Sequence, residues 1–371
     1  MRPKIKVLFF IESLAGGGAE KILYTIANHL NKEKFDITIS TVTTNGIYAE
    51  QISKYAKYEP LIKTRNQILY KILYHLIYYY LPLKMVYHFF FPKGNDVEIA
   101  FCEGFATKLL SFSPNKKKIA WVHIDILLNP WTQDLVYSSV DEEKRIYQKY
   151  NRVICVSKTV EESVKVKFGI DADTIYNPID SDEIISKSKK IFLLPTKNRI
   201  RFVTVGRLVE QKGYDRLLKV VKLLKNEDYN FELWILGDGS EKKSLMEYID
   251  ENNLNDCVKV WGFTPNPYPY IVASDVFVCS SRSEGYSTAV TEAIILGLPI
   301  ITTLCSGMKE LLGDNNEYGI IVENEDLTLL EPLRQVISNP DYLKELALKA
   351  QKRSGDFKIA SLIKPIEELL I

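Results

Sequence analysis

The sequence predicts an α/β protein of two doubly wound, parallel-sheet domains in tandem. Three observations carry that prediction. The 371 residues exceed the ~100–200 of one ordinary domain and suffice for two proper cores. The strand-like apolar runs are continuous rather than alternating, as in strands covered on both faces. A polar, lysine-rich stretch from Asn177 to Asn198 separates one strand–helix series from the next.

The first series opens with Val7-Leu8-Phe9-Phe10-Ile11, a β-branched and aromatic run. A turn, Gly16-Gly17-Gly18, follows, and then Ile22, Leu23, Ile26, Ala27 and Leu30 recur at helical spacing. Further strands are expected at 36–43, 96–101, 118–123 and 152–157. The second series begins at Arg201. It predicts a strand at 201–206, a helix near 217–225, strands at 231–236, 258–261 and 275–280, a helix at 287–296, and strands at 299–302 and 319–322. Domain one is therefore assigned to 1–180 and domain two to 181–355, with 356–371 as a closing segment. In such sheets ligands bind beyond the carboxyl ends of the strands, so a cleft between two facing domains is the expected site.

Composition narrows the function. With 46% hydrophobic and 26% charged residues the chain is neither disordered nor polytopic in a membrane. Lys+Arg at 48 against Asp+Glu at 47 leaves a formal charge of +1, with no global field to gather nucleic acid. The five cysteines, Cys102, Cys155, Cys257, Cys279 and Cys305, have no C-x-x-C spacing and read as buried, reduced thiols. The opening, Met1 to Lys6 and the short apolar stretch after it, lacks the features of a signal peptide, so a cytoplasmic location is expected. Between Arg65 and Lys93 tyrosines and phenylalanines crowd together with Lys71, His75, Lys84 and His88. Pro82 and these cations leave no uncharged run of ~18 residues, which argues against a transmembrane helix. Two readings remain open: a helix lying in the interface of the inner membrane leaflet, or aromatics packed into the first domain's core.

Chemistry concentrates in Ser281-Arg282-Ser283-Glu284-Gly285-Tyr286-Ser287-Thr288, which follows a strand and opens a helix containing Glu292. Gly285, Ser287 and Thr288 offer amides and hydroxyls at a helix N-terminus, a setting that attracts phosphate. Glu284 and Glu292, about two helical turns apart, are expected roughly on one side, the first pointing outward and the second deeper. Gly206-Arg207 and Lys212-Gly213 place two cations across a loop, where a planar fork and a point charge suit a diphosphate. His123 ends a strand with Asp125 two residues on, which favours a role at the site over a purely structural one. Asp171-Ala172-Asp173 and Asp180-Ser181-Asp182 are Asp-x-Asp triplets in polar turns. Neither follows a strand, so no metal site and no cofactor is expected.

The pair Glu284 and Glu292, Gly206-Arg207 with Lys212-Gly213, Gly16-Gly17-Gly18-Ala19-Glu20 and Trp121-Val122-His123 together resemble a family 4 glycosyltransferase of the GT-B fold. The resemblance spans nearly the whole chain and is strongest in the second domain. It implies that Glu284 contacts the transferred sugar, Glu292 the ribose, and Arg207 and Lys212 the diphosphate, with amides from Gly285 through Tyr286 and Ser287 to Thr288 completing the phosphate site. Gly262, Phe263 and Pro265 would frame the base, and His123 would approach the donor sugar. Gly17 and Gly18, with Gly206, would let backbone come close to the phosphates. It further implies retention of anomeric configuration, a nucleotide diphosphate sugar donor with UDP favoured, and a hexose or hexosamine passed to a glycan or lipid-linked acceptor of surface polysaccharide synthesis. The closing segment would pack back toward the first domain. Alternatives are a catalytically silent GT-B scaffold subunit, which would be free to lose Glu284, Arg207 and Lys212, and a nucleotide-sugar epimerase of the same fold.

Overall fold

The computed structural model describes residues 3–371 apart from Asn45, Arg65, 191–193 and Lys197, and apart from the side chains of Gln67 and Asp134. The chain divides into two compact units, residues 1–178 with 360–371, and 179–359.

In unit 1 the order is β1 (Ile5–Ile11), α1 (Gly18–His29), β2 (Phe35–Thr41), α2 (Ala49–Ile52), β3 (Lys57–Tyr58) and α3 (Gln67–His75). A π-helical stretch, Leu76–Tyr80, leads to α4 (Leu83–Phe90), β4 (Val97–Ala100), α5 (Phe105–Leu110) and β5 (Lys118–Val122). Then come α6 (Trp131–Leu135), α7 (Val140–Tyr147), β6 (Arg152–Cys155), α8 (Lys158–Phe168) and β7 (Asp173–Thr174). The strands form one parallel sheet in the order β3-β2-β1-β4-β5-β6-β7. Val7 through Phe10 are fully buried, which is why their apolar run is continuous. Each such side chain contributes about 1.5–3 kcal/mol by leaving water.

Unit 2 runs α9 (Ser181–Ser188), β8 (Ile200–Val205), α10 (Tyr214–Asn226), β9 (Phe231–Leu236), α11 (Lys242–Glu251), β10 (Val258–Gly262) and α12 (Tyr268–Val272). It continues with β11 (Val276–Cys279), α13 (Thr288–Ile295), β12 (Ile300–Thr303), α14 (Met308–Leu312), β13 (Ile320–Val322), α15 (Leu330–Ser338) and α16 (Pro340–Ser354). Its parallel sheet has the order β10-β9-β8-β11-β12-β13. α17 (Ile359–Leu370) closes the chain in unit 1, where Glu367 accepts the backbone N–H of Asn31 at 3.0 Å.

Both sheets reverse direction once, between β1 and β4 and between β8 and β11. At such a switch point the loops from adjacent strands leave in opposite directions and open a crevice at the carboxyl edge. The expected α/β class and parallel sheets are present, with strand ends within two residues of those expected. The two-residue edge strands β3 and β7 gave no sequence signal, and Asp173 of the first Asp-x-Asp triplet lies in β7, paired with Arg152, rather than in a turn.

The aromatic segment divides by face. Ile77, Val86, Tyr87 and Phe91 are buried, whereas Ile68, Ile72, Tyr79, Tyr80, Phe89 and Phe90 are exposed. Arg65, at its start, lies outside the described residues. Among the described residues no helix is long and apolar enough to cross a membrane.

Candidate functional site

The switch point of unit 2 is built from β8 and β11. After β8 the chain passes Gly206 and Arg207, makes a single 3-10 turn over Glu210–Lys212, and enters α10 through Gly213 at φ +64°. Gly213 tolerates no side chain, since a Cβ there would stand 2.2 Å from the Ser280 carbonyl oxygen. After β11 the turn 280–287 crosses to α13. Ser287 caps that helix by accepting the Val290 N–H, so helical backbone begins only at Thr288.

The two segments meet side chain to side chain. Lys212 Nζ donates to Glu284 Oε1 at 2.6 Å, and Ser281 Oγ donates to the same oxygen at 2.5 Å. Ser280 Oγ donates to the Lys212 carbonyl and Gln211 Nε2 to the Ser283 carbonyl, both at 2.9 Å. Burial works against the Lys212 charge, but the adjoining Glu284 carboxylate outweighs it and holds the ammonium above the ordinary lysine value. Lys212, Ser281, Glu284 and Ser287 line one small pocket together with Thr204, Tyr214 and Cys279. Arg207 is exposed near Lys212, and its side chain makes no hydrogen bond or ion pair among the described residues.

Glu284 stands in the turn before α13, outside the helix that carries Glu292, in keeping with the helix expected from 287. One expectation changes: Glu284 does not point outward, being 7% exposed, as against 5% for Glu292. Glu292 lies within α13, close enough to Tyr268 to add to the upward shift that burial imposes on that phenol. Gly285, Tyr286 and Ser287 are buried and Thr288 half-buried, and Gly307 packs so tightly against them that a Cβ would stand 2.6 Å from the Gly285 carbonyl oxygen. Gly262, at φ +78°, ends β10, while Phe263 and Pro265 beyond it are exposed.

The switch point of unit 1 gathers Glu12 after β1, Glu103 after β4 and His123 after β5. The sequence reading singled out only His123. Glu12 Oε2 accepts the Tyr78 hydroxyl at 2.8 Å, and Glu103 Oε2 accepts the backbone N–H of His123 at 2.9 Å. Burial raises both carboxyls. Burial also pushes His123 down to about 3, so its imidazole is neutral at physiological pH. The ring lies 4.7 Å from Phe101, centroid to centroid, and its Nε2 is buried with no partner among the described residues. Gly17 caps α1 and Gly18 is its first residue, and a Cβ on Gly17 would stand 2.3 Å from Glu20 Oε2. An acidic residue that ends an apolar strand run is the signal by which Glu12 could have been found.

Among the described residues, no group of three or more His, Cys, Asp or Glu side chains is placed to hold a metal ion. Asp180 of the second triplet caps α9 by accepting the Glu183 N–H.

Residues 16–183 match the family described as Glycosyltransferase Family 4, and residues 186–353 match Glycosyl transferases group 1. An uncharacterized glycosyltransferase of Haemophilus influenzae is 25% identical over 98% of this chain and 99% of its own. From Campylobacter jejuni, the N-acetylgalactosamine-N,N'-diacetylbacillosaminyl-diphospho-undecaprenol 4-alpha-N-acetylgalactosaminyltransferase is 30% identical over 57% of this chain and 58% of its own. Among solved structures, Anabaena HepE in complex with UDP and glucose superposes with a TM-score of 0.78 at 18% identity, covering 99% of both chains. Sucrose-phosphate synthase of Thermosynechococcus elongatus gives 0.80 at 15% identity, covering 99% of this chain and 98% of its own. With two parallel-sheet units and both halves of the chain matched, the chain belongs to the family 4 glycosyltransferases of the GT-B fold.

Proposed function

We propose that the protein is a retaining transferase that moves a hexose or hexosamine from a UDP-sugar to a glycan or lipid-linked acceptor during cell-surface polysaccharide synthesis. The observation that carries this reading is the Lys212–Glu284 pair in the turn before α13. It puts an ammonium, a carboxylate and a capped helix N-terminus within one pocket, the groups that a diphosphate and the sugar beyond it would engage. Support for UDP comes from HepE, solved with UDP and glucose, and support for a lipid-linked acceptor from the diphospho-undecaprenol in the name of the Campylobacter relative.

In this reading Arg207, exposed and without an ion-pair partner among the described residues, and Lys212 neutralise the diphosphate, joined by Gly206 and by amides from Gly285 to Thr288. Glu284 accepts sugar hydroxyls, and Glu292 takes the ribose. Gly262, Phe263 and Pro265 border the base. Gly17 and Gly18 are assigned to phosphate near the backbone, and neutral His123 to a sugar hydroxyl. The bond from the anomeric carbon to the departing phosphate oxygen breaks, and the acceptor oxygen bonds to that carbon on the same face. The acceptor's proton passes to the departing phosphate. Charge stabilisation and positioning supply the rate, with no metal ion required.

We place the work at the cytoplasmic face of the membrane. Between Glu59 and Asp96 the sequence holds no acidic residue, while Lys63, Lys71, Lys84 and Lys93 accompany the exposed Ile68, Ile72, Tyr79, Tyr80, Phe89 and Phe90. Apolar side chains beside cations suit an anionic bilayer surface. Flotation with phosphatidylglycerol vesicles, lost in Tyr79→Asp with Phe90→Asp, would support it, and no flotation of the wild type would sink it. The donor reading is tested by thermal shift with UDP, GDP, ADP and their sugars, with and without magnesium. A shift with a UDP species that ignores magnesium supports it. Silence across the panel rejects it in favour of a silent scaffold subunit.

A further inference from the structure

Arg216, in the first turn of α10, is only 4% exposed, yet no carboxylate lies within ion-pair distance of it among the described residues. Its two acidic neighbours are engaged elsewhere: Asp215 takes the Arg282 guanidinium at 2.7 and 2.8 Å, and Asp326 takes Lys219 at 3.0 Å. The guanidinium instead donates to neutral acceptors. Nε reaches the Ser280 carbonyl at 2.8 Å, and Nη2 reaches the Ser281 carbonyl at 2.6 Å, Asn324 Oδ1 at 2.7 Å and Thr303 Oγ1 at 3.3 Å. Burying a cation without a counter-charge is expensive, and an apolar side chain in its place would avoid that cost.

The partners show where the benefit falls. Two of the four are carbonyls of the turn that delivers Ser281 and Glu284. Thr303 Oγ1 and Cys305 Sγ also donate to the Ser281 carbonyl, at 2.6 and 3.0 Å, and Asn324 Nδ2 donates to the Arg282 carbonyl at 2.7 Å. Arg216 is thus the centre of a bonded frame that holds the turn, and the same turn carries the Glu284 that Lys212 meets. A planar fork can hold several acceptors at fixed angles at once, which an ammonium on a flexible stem cannot.

We infer that Arg216 is a positioning residue for the donor diphosphate: it fixes the 280–284 turn that presents Glu284 beside Lys212, and it leaves there a positive charge that an incoming anion can balance. This rests on the donor site proposed above.

The test compares UDP with uridine, which lacks the phosphates, on the full chain carrying Arg216→Lys or Arg216→Met. Expected is a loss of UDP affinity of about tenfold or more in Arg216→Met and a smaller loss in Arg216→Lys, with uridine affinity within about twofold of wild type in both. Equal losses for UDP and uridine, or an unchanged UDP affinity, would overturn the inference. Should Arg216→Met not fold, Arg216→Lys supplies the same ratio and also assigns the Nε–H resonance of Arg216, which bonds the Ser280 carbonyl, in wild-type protein. That resonance should move with UDP and stay with uridine; identical responses to both would count against the inference. Wild-type protein that binds none of UDP, GDP and ADP would instead reject the donor site itself.

Discussion

The two switch-point sites solve opposite electrostatic problems. In unit 2 three cations are held by acceptors while Arg207 stands exposed: Lys212 is held by Glu284, Arg282 by Asp215, and Arg216 by a frame of neutral acceptors. In unit 1 burial favours the uncharged forms, leaving Glu12 and Glu103 with raised carboxyls and His123 without its proton. The first arrangement suits an anionic ligand, because cations are held in place before it arrives. The second suits neutral hydroxyls, for which a charged wall would only add desolvation cost.

That contrast can be broken most strongly at Lys212. Lys212→Ala leaves Glu284 buried and unpaired, which should cost unit 2 about 3 kcal/mol and lower its Tm by roughly 6–10 °C. The UDP-induced shift should vanish with it; calorimetry with and without UDP reads both. Glu284→Gln keeps an acceptor for Lys212 and Ser281 but removes the charge. Turnover should fall about 100-fold, while UDP affinity in titration calorimetry stays near wild type, and undiminished turnover would remove Glu284 from the chemistry.

In unit 1 the sharper probe is pH. The folded pKa of His123, about 3, lies below its ordinary value. Its contribution is therefore fully present above pH ~6.5 and lost as pH falls from there toward ~3, about 2 kcal/mol having gone by pH 5. The raised Glu12 and Glu103 carboxyls oppose this, gaining stability as they take up protons at lower pH. His123→Gln should flatten the decline in unit 1 stability between pH 6.5 and 5, followed by chemical denaturation at each pH. The smallest effect belongs to Tyr78→Phe, which removes one hydroxyl from Glu12 and should cost about 1–2 kcal/mol. A neutral result in the same assay would show that Tyr78 does not hold Glu12.

The legible part of the molecule was local. Val7 to Ile11 and Leu233 to Leu236 announce buried strands because both faces are covered, so every position must be apolar. Gly213 and the Ser287 cap follow from turn and helix chemistry within a few residues. What was illegible depends on partners far apart in sequence. Lys212 and Glu284 are 72 positions apart, and only the β8–β11 neighbourhood brings them to 2.6 Å. Glu284, expected to point outward, is instead buried, because Lys212 from the distant β8 loop and Ser281 both bond its carboxylate. Arg216 was passed over since a cation next to Leu217 and Leu218 reads as the polar side of an amphipathic helix. Glu103 was missed for a similar reason: its role is to receive a backbone N–H from another strand's end.

The return of α17 to unit 1 bears on the order of events during synthesis. Ile363, Ile366 and Leu370 are buried there, and Glu367 binds Asn31 and Lys34 just after α1. The first unit to leave the ribosome therefore lacks one of its covering helices until residues 360–371 emerge, after all of unit 2 has been made. Nascent unit 1 must wait with that apolar flank bare while unit 2, contiguous in sequence, can fold as it appears. The unit that starts first finishes last.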